Sequence, residues 1–329
     1  MNRTALMITL LTLASLGAGA YSAASAVKDQ RPTRDSIHAP WTLEQWCSNL
    51  RTEIRKLDWR LEPCSGIPWK LSKHYSVLGK PIPVAQFGDP KAANTTLVIS
   101  MVHGDENTPL YLVLKLAHYL VENEERLRQN SIRVVVAPMV NPDGFFRKTR
   151  TRTNAHKVDV NRNLPTRDWQ ELAVKKWKTT FGSNARRFPG HSPASEPETL
   201  FQMDLLEETR PQKILSMHAP LNFMDYDGPS HVSLARFPKD YVQECTKLRT
   251  KLKATSGGFF PGSLGNYAGQ EMGIPTITLE LPSAQARKSE EYWRQFEQGI
   301  RTMIEFQVPD LEVSRIRTTE RVKRASLER

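Results

Sequence analysis

Cysteine is scarce in this chain of 329 residues, with only Cys47, Cys64 and Cys245 present. Three thiols so scattered exclude a Cys-rich zinc finger and a disulfide-dense scaffold. Cys47 and Cys64 flank one short segment. Either they pair and leave Cys245 over, or all three are free, buried thiols. Long apolar runs are also missing. The one candidate runs from Ala5 to about Leu16, which is short for a bilayer span of ~20 residues. There is no internal repeat and no low-complexity tract. Nucleic-acid binding by the basic loops is the weakest reading of the charge, since it would need a series of aromatic stacking platforms along a groove. What remains is ordinary for a soluble globular protein: 39% hydrophobic and 25% charged residues, which argues against gross disorder.

The N-terminus has its own pattern. Arg3 precedes the apolar run, and small residues follow, including Ala18-Gly19-Ala20 and Ala24-Ser25-Ala26. That order predicts a secretory signal peptide over residues 1–26, hence a periplasmic or secreted protein that does not span a membrane after cleavage. A retained membrane anchor is the alternative. The net charge of +11 sits partly in residues 309–329, where "SRIRTTERVKRASLER" carries six basic and two acidic residues. That stretch is expected to be a solvated basic tail. The excess charge also suits retention near anionic wall polymers.

Trp46, Leu50, Ile54, Leu57 and Leu61 recur at gaps of four, four, three and four, the spacing of a helix. Thr42 is its expected N-cap, with Gln45 as capping-box partner. Residues 27–72 are therefore expected to form an N-terminal helical extension. Over residues 73–308 strands alternate with helices, which predicts one α/β domain, a three-layer sandwich with a mixed, mostly parallel central sheet. Thr108 and Pro109 are expected to open a helix running to about residue 129. The second half of residues 233–255 also reads as helix. "VDVNRNLP", residues 158–165, alternates like the end of a strand.

Unusual polar residues sit at the strand exits, where such sheets bind ligands. His103 and Glu106, with two residues between them, follow a buried strand, and both are good zinc ligands. His218 ends another strand and completes a His/Glu/His set, the pattern of a catalytic zinc that keeps one position open. Glu280 lies in an otherwise apolar strand, where a carboxylate is costly unless paired or coordinated. Its functional reading is a general base that takes a proton from the attacking water and later protonates the leaving amine. Asp159 is placed to accept the second ring proton of His103. Asn161 and Arg162 suit a carboxylate clamp, since Arg presents a fork of donors. Either Arg150 or Arg152 could stabilise the oxyanion.

Taken in order, "HGDE", "NPDG", "VDVNRNLP", "SMHAP", "PGSLG" and "ITLELP" resemble the zinc metallocarboxypeptidase family, most closely a bacterial branch acting on peptidoglycan peptides. The resemblance covers about residues 73–308. It implies a zinc carboxypeptidase-like fold and one zinc ion per chain on His103, Glu106 and His218. It implies Glu280 as general base, Asn161 and Arg162 as the terminal-carboxylate clamp, and Asp159 behind the metal ligands. It favours Arg152 for the oxyanion, from the Arg-x-Asn pattern at Arg152 to Asn154, with Arg150 held for substrate binding. The substrate it implies is a stem tripeptide, L-Ala-γ-D-Glu-meso-diaminopimelate, cut to release diaminopimelate. Rival readings are an amidohydrolase of small N-acyl amino acids and a wall-binding protein without activity; the intact Glu280 argues against the second. The chain departs from the pattern at four places. Phe259 and Phe260 stand where digestive members carry a substrate-binding Tyr. Asp105 replaces their Arg. Lys157 stands where Gly is common, and Leu164 where an aromatic is common.

Overall fold

Helix α1 (Leu43–Lys56) begins with the expected capping box in the computed structural model, which describes residues 40–229, 237, 239, 249–251 and 260–308. Gln45 N donates to Thr42 Oγ1 at 3.2 Å, and Thr42 N donates back to the Gln45 side chain at 2.8 Å. The expected signal peptide, the basic tail, Cys245, Phe259 and most of residues 233–255 lie outside the described residues. Cys47 and Cys64 form a disulfide that ties α1 to the loop after it. Helix α1 is no detached appendage. Trp46, Leu50 and Ile54, with Trp59, Ile67 and Trp69, share one large hydrophobic cluster with the central sheet. The boundary expected at residue 73 falls inside a strand.

That strand is β1 (Lys70–Tyr75). It is followed by β2 (Pro81–Gly88), β3 (Asn94–Ser100), β4 (Ile132–Ala137), β5 (Lys213–His218), β6 (Phe223–Asp227), β7 (Arg249–Lys251) and β8 (Thr276–Glu280). They form an eight-stranded sheet in the order β1-β2-β4-β3-β5-β8-β6-β7. The inner pairs β4/β3, β3/β5 and β5/β8 are parallel, as is β6/β7; the other three pairs are antiparallel. The remaining helices are α2 (Asn107–Glu122), α3 (Glu124–Gln129), α4 (Pro142–Phe145), α5 (Val174–Thr179), α6 (Pro197–Thr209) and α7 (Ser289–Glu305). All seven residues of β3 are buried, as a parallel strand covered on both faces requires. Its alternation serves two cores. Val98 faces the cluster under α1, α2 and α7, while Leu97 and Ile99 meet Phe201, Leu205 and Leu206 of α6. This is the expected three-layer sandwich. Among the described residues, no helix is long and apolar enough to cross a membrane.

Four local expectations are corrected. Helix α2 starts two residues early, with Glu106 rather than Thr108 at the N-cap; the Thr108 hydroxyl donates instead to Ser283 O at 2.6 Å. The helix expected to run to residue 129 breaks at Asn123 into α2 and α3. "VDVNRNLP" is not a strand end. Val160–Arg162 is a single tight helical turn, closed because the Asp159 side chain accepts from Asn161 N at 3.2 Å. Residues 249–251 are strand rather than helix.

Candidate metal centre and active site

From β3 the sheet continues to β4 on one side and to β5 on the other. The chain reverses its winding there, and the crevice beyond the carboxyl ends of the two strands is where such sheets take ligands. The loop leaving β3 turns sharply at Met101, whose φ of 50° is left-handed. Gly104 then lies flat on Gly144 of the "NPDG" turn. A Cβ on Gly104 would meet the Gly144 carbonyl carbon at 2.2 Å. Asn141 fixes that turn, accepting from Gly144 N at 2.8 Å and donating to Arg152 O at 3.1 Å.

This packing brings His103, Glu106 and His218 together in a buried cluster. His103 Nδ1 is 2.7 Å from Glu106 Oε1, His218 Nδ1 is 3.0 Å from Glu106 Oε2, and the two Nδ1 atoms are 3.2 Å apart. A tetrahedral zinc with bonds of about 2.0–2.1 Å would set its ligand atoms about 3.3 Å apart. The donor set therefore fits one zinc ion, with each atom needing little movement. The outer contacts agree. Both imidazoles turn Nε2 away from the cluster, His103 to Asp159 Oδ1 at 3.1 Å and His218 to Ser216 Oγ at 3.1 Å. With the proton held on Nε2, each Nδ1 presents its lone pair inward. Burial works to raise the Glu106 carboxyl, but the two imidazoles beside it hold it well below the usual carboxylate range.

Asp159 serves two neighbours at once. Besides His103 it receives Arg152 Nε at 2.8 Å, and Arg152 also reaches Glu106 Oε1 at 3.4 Å. Burial opposes its ionisation, yet Arg152 and His103 keep its carboxyl well below the ordinary value. Arg162 is buried, and its guanidinium stacks at 4.6 Å on the ring of Phe260. Its Nε has no hydrogen-bond partner, and burial pushes it down to about 10. A buried guanidinium with an idle donor is a prepared seat for an anion. Asn161 spends its amide oxygen on Leu264 N at 2.8 Å, leaving its NH2 as the donating end. Glu280 is buried and pairs in register with His218. Burial, followed by repulsion from Glu106, raises its carboxyl against the pull of His218, His103 and Arg152. A carboxyl raised in this way beside the metal ligands suits a group that takes up and passes on a proton.

His103, Glu106, Arg152, Asn161, Arg162 and Glu280 line one cavity of about 460 Å³. Arg150 is not drawn into it. Its guanidinium donates to Asn107 Oδ1 at 2.7 Å and Glu53 Oε2 at 3.0 Å and rests on Phe145, so it braces α1 rather than substrate. Sequence reasoning also missed several supports. Ser216 precedes His218 by two residues in a strand and so shares its face, a signal that was available. Asn163 holds the loop that follows through Pro189 O at 2.8 Å and Ser192 O at 2.9 Å. Lys157 has a φ of 65°, which explains why the resembling family favours Gly there.

The fold and the centre define a zinc carboxypeptidase. The chain belongs to that family, whose model matches residues 65–314. Among curated relatives it is similar to murein peptide amidase A of Escherichia coli (strain K12), 30% identical over 225 residues that cover 67% of this chain and 85% of the relative. Among solved structures it is similar to the murein-tripeptide amidase MpaA of Escherichia coli O157, at 26% identity and a TM-score of 0.50, covering 72% of this chain and 92% of that one. The carboxypeptidase A of Helicoverpa armigera shares the fold at 20% identity and a TM-score of 0.53, over 82% of this chain and 74% of its own.

Proposed function

We propose that this hydrolase is exported and removes the C-terminal diaminopimelate from peptidoglycan stem tripeptides. The observation that carries the reading is Arg162, buried in the cavity wall beside Asn161 with a donor unused. Where Arg162 lines the cavity, its guanidinium is matched by a carboxylate adjoining the scissile bond. The similarity to relatives named for murein peptides supplies the substrate class. The Cys47–Cys64 disulfide supports export, because such bonds persist in oxidising compartments.

The roles follow from position. Asn161 and Arg162 take the free carboxylate of the leaving residue and set the register of the peptide. Arg152, steered by Asp159 and Glu106, donates to the carbonyl oxygen as negative charge grows there. Glu280 accepts a proton from the attacking water and delivers it to the departing amine. A zinc ion bound at His103, Glu106 and His218 supplies Lewis acidity to the carbonyl and to water. A residue added after diaminopimelate would convert the clamped carboxylate into an amide and leave Arg162 unmatched. Purified tripeptide should therefore be cut well and tetrapeptide poorly, with chelator abolishing both, by mass analysis of the products. Equal turnover of tri- and tetrapeptide would overturn the clamp and the substrate with it.

A further inference from the structure

Of the four arginines lining the cavity, three are already engaged. Arg152 is held by Asp159 and Glu106. Arg162 belongs to the clamp. Arg186 pairs with Asp105 at 2.8 Å. The Arg187 side chain makes no hydrogen bond or ion pair among the described residues; its guanidinium lies 4.9 Å over the Phe181 ring. It comes from the basic loop that no part of the proposed chemistry uses. Yet that loop is firmly seated. Asn184 receives Arg186 N at 2.9 Å and its carbonyl receives Arg187 N at 2.9 Å. Trp177 packs edge-to-face against Phe188 at 4.9 Å, and Asp159 N donates to Phe188 O at 2.7 Å.

That last bond ties the Arg187 loop to the segment that carries Asp159. It sets the residue beside Asp159 and Arg152. After burial, the charges that act most on Arg187 are Arg152, Asp159, Arg186 and Glu280, and Arg162 on the clamp side also feels its charge. Arg152 is the residue that meets the scissile carbonyl, so a cation beside it faces the residue that contributes this carbonyl. In an ordinary α-peptide the backbone there bears no charge. In a γ-linked glutamyl residue, the α-carboxylate remains free, a short methylene chain from the carbonyl.

We propose that Arg187 binds the free α-carboxylate of a γ-linked glutamyl residue on the acyl side of the scissile bond, and so selects side-chain-linked glutamyl substrates over α-peptides. The assignment rests on the substrate reading above. Its test compares L-Ala-γ-D-Glu-diaminopimelate with the analogue whose glutamyl α-carboxylate is amidated, using the zinc-loaded full chain. Wild-type kcat/KM should favour the free acid. Arg187→Gln should lower kcat/KM on the free acid by about ten- to a hundred-fold, as loss of a hydrogen-bonded charge does, and lower it far less on the amide. Arg187→Lys should retain part of the preference. Equal losses on both substrates, or none, would overturn the role of Arg187 and leave the substrate reading standing. An Arg187 effect that vanishes only when the far carboxylate of diaminopimelate is amidated would move the residue to the leaving side and overturn the assignment too. Failure of the wild type to cut either compound would overturn the substrate reading, and this assignment with it.

Discussion

Glu280 faces the cavity from the end of β8, two residues after Thr278 and level with His218 across the parallel pair. Its neighbours on either side along the strand, Leu279 and Leu281, are fully buried in the opposite core, so the strand cannot turn the carboxylate elsewhere. Replacing Glu280 by Gln keeps the shape and removes the proton acceptor. The variant should bind zinc in unchanged amount while kcat falls by roughly a thousandfold or more; metal analysis beside steady-state kinetics checks this, and unchanged turnover would take Glu280 out of the chemistry. A second buried charge has nothing to do with catalysis. Lys213, at the start of β5, is fully buried and donates to Asn94 Oδ1 at 2.7 Å. Burial pushes its ammonium down to about 7 from 10.5. Above 10.5 it is neutral in both folded and unfolded chains. Below that pH the unfolded chain takes up a proton that the fold refuses until about 7, so the cost to folding grows as pH falls across this window and then levels off. Lys213→Met should therefore gain in Tm over the wild type as pH drops from about 10 to 7, with no further gain below. Parallel Tm profiles would show that the folded lysine keeps its proton throughout.

At the scale of elements, helix α1 shows how much the sequence announces. Its capping box, its buried face and its pairing partner Cys64 are all local patterns, and each appears in the structure. Its integration is not local. Trp59 Nε1 reaches Ala286 O at 3.0 Å and Arg150 crosses to Glu53, contacts that no spacing along the chain displays. The same divide explains the "VDVNRNLP" error. Alternation cannot reveal that Asp159 folds back on Asn161 N, because that turn exists to aim one carboxylate at both His103 and Arg152. The disulfide gives a quantitative test. It closes a short loop, with its cysteines 17 residues apart, and such a closure is worth about 3 kcal/mol. Replacing both cysteines by Ser should lower the unfolding free energy by about that amount in a denaturant titration. The folded variant should keep its kcat/KM, since neither cysteine lines the cavity. A loss below about 0.5 kcal/mol, the size of an ordinary surface change, would mean that the packing of Trp46, Leu50 and Ile54 already fixes α1.

At the scale of the whole molecule, the metal centre joins parts that are far apart in the chain. His103 follows β3, Glu106 caps α2, and His218 ends β5. Their identities were legible because few residue types bind zinc and the motifs keep a fixed order. The wall formed by Arg162 on Phe260, and the approach of the Arg187 loop to Asp159, were not, because each depends on segments meeting only after the sheet has closed. A ligand that binds only the folded arrangement stabilises it by mass action, by about 4 kcal/mol at a thousandfold excess over Kd. Removing zinc should therefore lower Tm by several degrees for a chain of this size, and adding zinc back should restore it. His218→Ala breaks the set by one ligand and leaves the rest of the chain in place, so its lower Tm should no longer respond to chelator. If wild type and His218→Ala lose the same number of degrees on chelation, the stabilising metal sits somewhere other than among His103, Glu106 and His218.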